Sequence, residues 1–308
     1  MKDQWRGFFF VVMAAFLWGL SGNVAKYLFN QQVDPLDVVQ MRLFLSFVFL
    51  LFYLVVVHRS LILIRKEDVA YMIIFGTFGV TAVQSTYLLA ISQTNVATAI
   101  FLQYLAPVLV LGYGLIRGQE KLTLPSGSAL FFSVLGGFLM VKGNPGAGLA
   151  VNIPGLTAGL ASAATFAFYT LYGKKGLASY SPWTLLLYGF GVGSVVFSFY
   201  RLPWLTLAHY SWREWLFFIY IALFASILPF GFYFKGLSYL SPIKTNLTST
   251  LEPVIAGILA YLLLGEKLTP WQVLGCVFIL AGVILIQLSG LRQVRSSLND
   301  AIAKTRTG

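Results

Sequence analysis

Tyr87–Val141 reads YLLAISQTNVATAIFLQYLAPVLVLGYGLIRGQEKLTLPSGSALFFSVLGGFLMV, and Tyr233–Gln287 reads YFKGLSYLSPIKTNLTSTLEPVIAGILAYLLLGEKLTPWQVLGCVFILAGVILIQ. The two stretches align without a gap at a fixed offset (233 − 87 = 146). Tyr87 falls on Tyr233, Ser92 on Ser238, and Leu105-x-Pro107-Val108 on Leu251-x-Pro253-Val254. Glu120-Lys121-Leu122-Thr123 falls on Glu266-Lys267-Leu268-Thr269, and Gly136 on Gly282. Further upstream, Ala14-Ala15 corresponds to Ala163-Ala164 and Lys26 to Lys175. The chain is one pattern written twice.

Apolar runs of about 20 residues fill both copies, the length a helix needs to cross a bilayer. They lie near 8–29, 36–57, 69–91, 96–116, 124–142, 153–173, 182–200, 214–235, 243–264 and 269–289. Membrane strands are excluded, because they are ~10 residues long and alternate with period two. The expected fold is all-α, with ten transmembrane helices as two five-helix repeats, 1–145 and 151–290, and a basic tail at 291–308. Turn chemistry marks several short loops, including Asn30–Pro35, Asn144-Pro145-Gly146 and Ser181-Pro182. The first span follows Lys2 and Arg6, has no clear Ala-x-Ala site after it, and is expected to be retained.

Composition agrees. Hydrophobic residues make up 58% and charged residues 10%, against about 25% charge in a soluble protein, so most of the exterior must face lipid. The net charge of +11 does not indicate nucleic acid, because the cations sit between apolar runs. With the N-terminus inside, fifteen Lys and Arg fall on the inner side and four on the outer side. That asymmetry predicts both termini in the cytoplasm. Five spans is an odd number, so the second half enters from the opposite side. Such inverted repeats are a common design of secondary transporters.

Leu251-Glu252-Pro253-Val254, Gly265-Glu266-Lys267-Leu268-Thr269, Trp271-Gln272-x-x-Gly275 and Gly282-Val283 resemble the EamA-type branch of the drug/metabolite transporter superfamily. Trp18-Gly19 and Arg42 share the resemblance, which extends to about residue 289. In the first half Ala106 stands where Glu252 stands in the second, and Gln119 where Gly265 stands. The resemblance implies ten helices, a bacterial cytoplasmic membrane, and export or exchange of small metabolites such as amino acids.

Glu252 is the sharpest candidate, because a mid-span charge costs ~3 kcal/mol unless paired or hydrated. It would bind a substrate cation, carry a coupling proton, or serve as a structural carboxyl beside Pro253. Thr245, Thr248 and Glu252 share a helical face, with Asn246 and Ser249 on the neighbouring one. Gln103 occupies the repeat position of Ser249. Arg42 would hold a substrate carboxylate, pair with Asp37 or Glu252, or snorkel, and Lys26 is better explained by snorkelling. Gln84 and Tyr87 in span 3, Tyr169 in span 6, Tyr233 in span 8 and Trp18 in span 1 suit an amphipathic pocket, against an interfacial belt as the alternative. Gly155, Gly159 and Ala163 form a small-residue ridge, and Gly275 and Gly282 a packing face within the monomer or between two copies of a homodimer.

With no phosphate-binding Gly-Lys-Ser/Thr loop, one cysteine and two histidines, neither ATP hydrolysis nor a cofactor or metal is expected. The expected partners are a small-molecule substrate and membrane lipids. A channel or scaffold is the first alternative, and an intramembrane enzyme a more distant one.

Overall fold

The computed structural model describes all residues except Met1, Gln31, Gln32, 144–151, Arg201, Ala208, Gly265, Glu266, Thr307 and Gly308; side chains at 22–30, 206–207, 263–264 and 289–306 also lie outside the described set. The turn at Asn144–Gly146, the Gly265-Glu266 half of its motif, the Lys26 side chain and the side chains of the basic tail are therefore not described.

Among the described residues the fold is all-helical. The helices are α1 (Lys2–Asn30), α2 (Pro35–Val57), α3 (Lys66–Gln93), α4 (Val96–Ile116), α5 (Leu124–Lys142), α6 (Ile153–Gly176) and α7 (Pro182–Ser198). There follow the short α8 (Pro203–Leu207), then α9 (Trp212–Tyr239), α10 (Pro242–Ser249), α11 (Glu252–Leu264) and α12 (Pro270–Arg306). Six of them are long and apolar enough to cross a membrane: α2, α3, α4, α5, α9, and α12 through Leu288.

The loops are short because the helix starts are coded locally. A side-chain acceptor followed by proline caps the orphan N–H groups and pre-sets the first turn. Asp34 accepts from the Leu36 amide at 2.9 Å, Asn152 from Gly155 at 2.7 Å and Ser181 from Thr184 at 3.1 Å, with Pro35, Pro154 and Pro182 in the first turns.

Several helices are irregular where the sequence suggests straight rods. α4 breaks at Tyr104-Leu105, just before Pro107, and α10 is parted from α11 at Thr250-Leu251, just before Pro253. α3 widens to a π-turn over Phe75–Thr81 and α9 over Leu223–Ile227. In each, a hydroxyl reaches back five residues to a carbonyl: Thr81 to Gly76 at 2.7 Å and Ser226 to Ile221 at 2.9 Å.

Packing pairs helices from opposite halves of the sequence. α1 lies against α9 and α11, while α6 lies against α3 and α4. α2 meets the π-turn of α9, and α7 meets the π-turn of α3. α5 packs along α12. The glycine face of α12 is therefore used within the monomer. A Cβ on Gly275 would sit 2.7 Å from the Gly136 carbonyl oxygen, and one on Gly282 2.7 Å from that of Ala129. Both obstacles are backbone and cannot swing aside. Gly275→Leu is expected to lose about 3 kcal/mol, the upper end of overpacking costs, read as a lower midpoint in thermal unfolding in detergent. An unchanged midpoint would show that the two helices are free to separate.

Candidate functional site

A cavity of about 70 Å³ opens between α1, α2, α3, α4, α6, α9 and α11. It occupies the half of the bundle remote from the start of α1: Val38 and Arg42 come from the first turns of α2, and Ile91 from the last turn of α3. Trp18, Phe166, Phe230 and Tyr87 form aromatic walls, with Trp18 edge-on to Phe230 at 5.1 Å. Polar groups enter from Arg42, Gln84, Gln103, Tyr104, Ser21 and Glu252.

Arg42 and Glu252 each bond to neutral partners, and no ion pair joins them. Arg42 is 7% exposed. Its Nη2 donates to the Ala225 carbonyl at 2.5 Å and its Nε to Ser226 Oγ at 2.6 Å. The guanidinium lies 5.7 Å from the centre of the Phe230 ring. Local chemistry explains this dock. Pro229 has no N–H, so the Ala225 carbonyl four residues earlier lacks its helical donor, and Arg42 supplies one. Arg42 therefore neither snorkels nor pairs with Glu252; the pairing expected as one alternative is replaced by a backbone dock. Asp37 accepts from the Tyr210 hydroxyl at 2.6 Å.

Glu252 opens α11, so its carboxylate sits at the electropositive end of a half-helix that starts inside the bundle. Its Oε2 accepts from the Tyr104 hydroxyl at 2.6 Å, and Tyr104 lies at the break in α4. The two helix breaks thus meet across this one hydrogen bond. Gln103 Nε2 donates to Ser162 Oγ at 2.9 Å. Gln84 differs from the others: it is 2% exposed, lines the cavity, and its Nε2 has no hydrogen-bond partner.

Of the residues singled out by sequence, Trp18, Arg42, Gln84, Tyr87, Gln103 and Glu252 converge on this cavity. Tyr169, Tyr233, Thr248 and Ser249 are not among its lining. Tyr169 and Tyr233 are buried in a layer beneath it. There the Tyr233 and Thr170 hydroxyls lie 2.7 Å apart, and Asn246 Nδ2 reaches Thr170 at 2.9 Å and Tyr233 at 3.0 Å. Tyr169 stacks on Phe75 at 5.5 Å and meets Phe234 edge-on at 4.8 Å. Thr248 Oγ1 donates to Lys244 O and accepts from Gln287, and Ser249 Oγ donates to Asn246 O within its own helix. Below this layer the ends are pinned: Tyr180 donates to Asp68 at 2.5 Å, Thr184 to the Leu61 carbonyl and Tyr188 to the Ile62 carbonyl, both at 2.7 Å. Sequence reasoning missed Tyr104, Ser21, Phe166 and Phe230 as lining residues. Pro229 was a readable signal for a dock near Ala225; nothing in the sequence marked Tyr104.

A multi-pass helical bundle enclosing a charged, aromatic cavity defines the class: a membrane protein that admits a small molecule to its interior. The sequence model of the EamA-like transporter family matches residues 5–142 and again 153–288, and the chain belongs to that family of membrane transporters. It is 31% identical over 304 residues to the uncharacterized inner membrane transporter YicL of Salmonella typhimurium, covering 96% of this chain and all of the relative. It is 29% identical to an uncharacterized transporter of Archaeoglobus fulgidus, over 86% of this chain and 92% of that one. A solved crystal structure at 14% identity shares the fold, with a TM-score of 0.74 over 93% of this chain and 98% of the other.

Proposed function

We propose that the chain is a secondary-active transporter that exports or exchanges small amphipathic metabolites, such as amino acids, by alternating access. One observation carries the reading. The cavity presents a cation, Arg42, and a carboxylate, Glu252, each held by neutral groups and thus free to exchange those partners for a ligand's own charges. Aromatic walls receive the apolar part, and the unpartnered amide of Gln84, a residue lining the cavity, is a donor available to an acceptor on the ligand.

Ten spans in two inverted repeats, 1–145 and 151–290, are supported by the double family match. The exchange of packing partners between halves supports them too, as do helix breaks at equivalent positions, Tyr104-Leu105 and Thr250-Leu251. In the proposed orientation, both termini lie in the cytoplasm of a bacterial inner membrane and the cavity falls in the outer half of the bundle, so we read this conformation as facing outward and sealed within. A channel is disfavoured because the Tyr233–Thr170–Asn246 layer closes the path below the cavity. An enzyme is disfavoured because Glu252 is the sole carboxylate among the described lining residues.

The test is purified protein in liposomes with a panel of labelled amino acids and related metabolites, with and without a pH gradient. Uptake above empty liposomes supports the reading; no flux for any compound, with or without internal counter-substrate, sinks it. Gln84→Leu gives a sharper test. Removing an orphan buried donor should leave the thermal midpoint unchanged or raised, while the apparent KM rises about tenfold, the loss of one hydrogen bond to a charged group.

A further inference from the structure

The Thr170–Tyr233 pair has a counterpart on the open side. By the offsets that align the halves, Thr170 corresponds to Ser21 (21 + 149 = 170) and Tyr233 to Tyr87 (87 + 146 = 233). The chemistry is conserved between the copies: a small β-hydroxyl and a phenol. On the sealed side the two hydroxyls lie 2.7 Å apart and both residues are fully buried. On the open side Ser21 and Tyr87 both line the cavity. The Tyr87 hydroxyl makes no hydrogen bond among the described residues. Ser21 Oγ has only long contacts, 3.2 Å to Tyr220 Oη and 3.4 Å to the Phe224 carbonyl, beyond the usual range for a hydroxyl.

We propose that Ser21 and Tyr87 are the outer gate of the transporter. When the Thr170–Tyr233 pair parts to open the cavity inward, the Ser21 and Tyr87 hydroxyls meet and seal it outward. The proposal rests on the alternating-access reading above. It adds the residues that close the far side, which the described conformation leaves apart.

The two gates are unequal. Asn246 bridges both hydroxyls of the inner pair, and its repeat mate is Ile100 (100 + 146 = 246), which has no polar group. The outer pair therefore closes with one direct hydrogen bond and no bridging amide. The outward-open conformation is accordingly the more populated one when no substrate is bound.

The test measures conformation rather than flux. In a Cys276→Ser background, spin labels at Leu20 and Leu89 report the outer opening, and labels at Lys175 and Ser238 the inner one. Tyr233→Phe should shift the population toward inward-open by about fivefold, as loss of one net hydrogen bond gives. Tyr87→Phe should shift it the other way by a similar factor. A cysteine is shorter than the tyrosine it replaces, so direct oxidation would not span the gap; a short bifunctional thiol reagent should instead cross-link the Ser21→Cys/Tyr87→Cys pair and hold the protein sealed outside, and the Thr170→Cys/Tyr233→Cys pair and hold it sealed inside. The proposal is overturned if the two phenylalanine variants move the distances in the same direction or not at all, or if the Ser21→Cys/Tyr87→Cys pair does not cross-link while the inner pair does. Distances that switch without flux of any compound would retain the gate and remove the transport reading. Flux with unmoved distances would remove the gate alone.

Discussion

Arg42→Ala is expected to reduce transport at least a hundredfold, the largest effect of any single change in the cavity. Two separate losses combine. The ligand loses its cation, and charge-assisted contacts are worth roughly 1.5–3 kcal/mol each. The protein loses its dock as well: the Ala225 carbonyl, already without a helical donor because of Pro229, keeps no partner, at a further cost of about 1–3 kcal/mol. Folding suffers less than transport, because the variant no longer has to bury a cation. Arg42→Lys separates the two contributions. Lysine supplies a point charge but no rigid fork, so it cannot hold Ser226 and Ala225 together. It should fold nearly as well as the parent and recover part of the flux, about a tenth. Initial rates in liposomes alongside unfolding midpoints decide the matter. If Arg42→Ala transports normally, the guanidinium is a structural pin and the ligand charge is read elsewhere.

Glu252→Gln is the second large effect, and its signature is qualitative. An amide oxygen still accepts from Tyr104, so the join between the two helix breaks persists and the unfolding midpoint should move by less than the loss of one hydrogen bond, about 1 kcal/mol. What disappears is a group able to bind a cation or hold a proton. If Glu252 couples flux to protons, gradient-driven accumulation falls to the level without a gradient while exchange of substrate for substrate continues. If it only binds the ligand's ammonium group, both fall together. Gradient-driven accumulation that persists in Glu252→Gln removes Glu252 from the coupling path. Tyr104→Phe provides the control: it removes the partner and leaves the carboxylate, so a loss confined to stability assigns Tyr104 to the join alone.

Much of the site was legible because polar groups in an apolar run stand out. Arg42, Gln84, Gln103 and Glu252 were visible for that reason, and all four line the cavity. The aromatics divided. Trp18 and Tyr87 face the cavity, whereas Tyr169 and Tyr233, similar in sequence context, lie in the layer below it. Helical phase places a residue on a face but does not say at what depth the face stops lining space and starts packing. That depth is set by partners such as Phe75, Phe234 and Asn246, which come from helices far away in sequence. Tyr104 escaped for the same reason, since its role exists only because Glu252 lies opposite. The π-turns left a weaker trace: Ser226 with Pro229 three residues later is a pattern that signals a freed carbonyl, while Thr81 has no such proline.

The contact between α5 and α12 bears on how any motion must be shared. At Gly136, Gly275 and Gly282 the two backbones come so close that a Cβ added to any of the three would sit 2.7 Å from a carbonyl oxygen of the other helix. Two rods joined in that way move as one body. They are a fixed post against which displacement of the other helices is measured. A probe pair on α5 and α12 should therefore return the same separation whichever way the cavity faces, and so provides the internal ruler for every distance measured across the rest of the bundle.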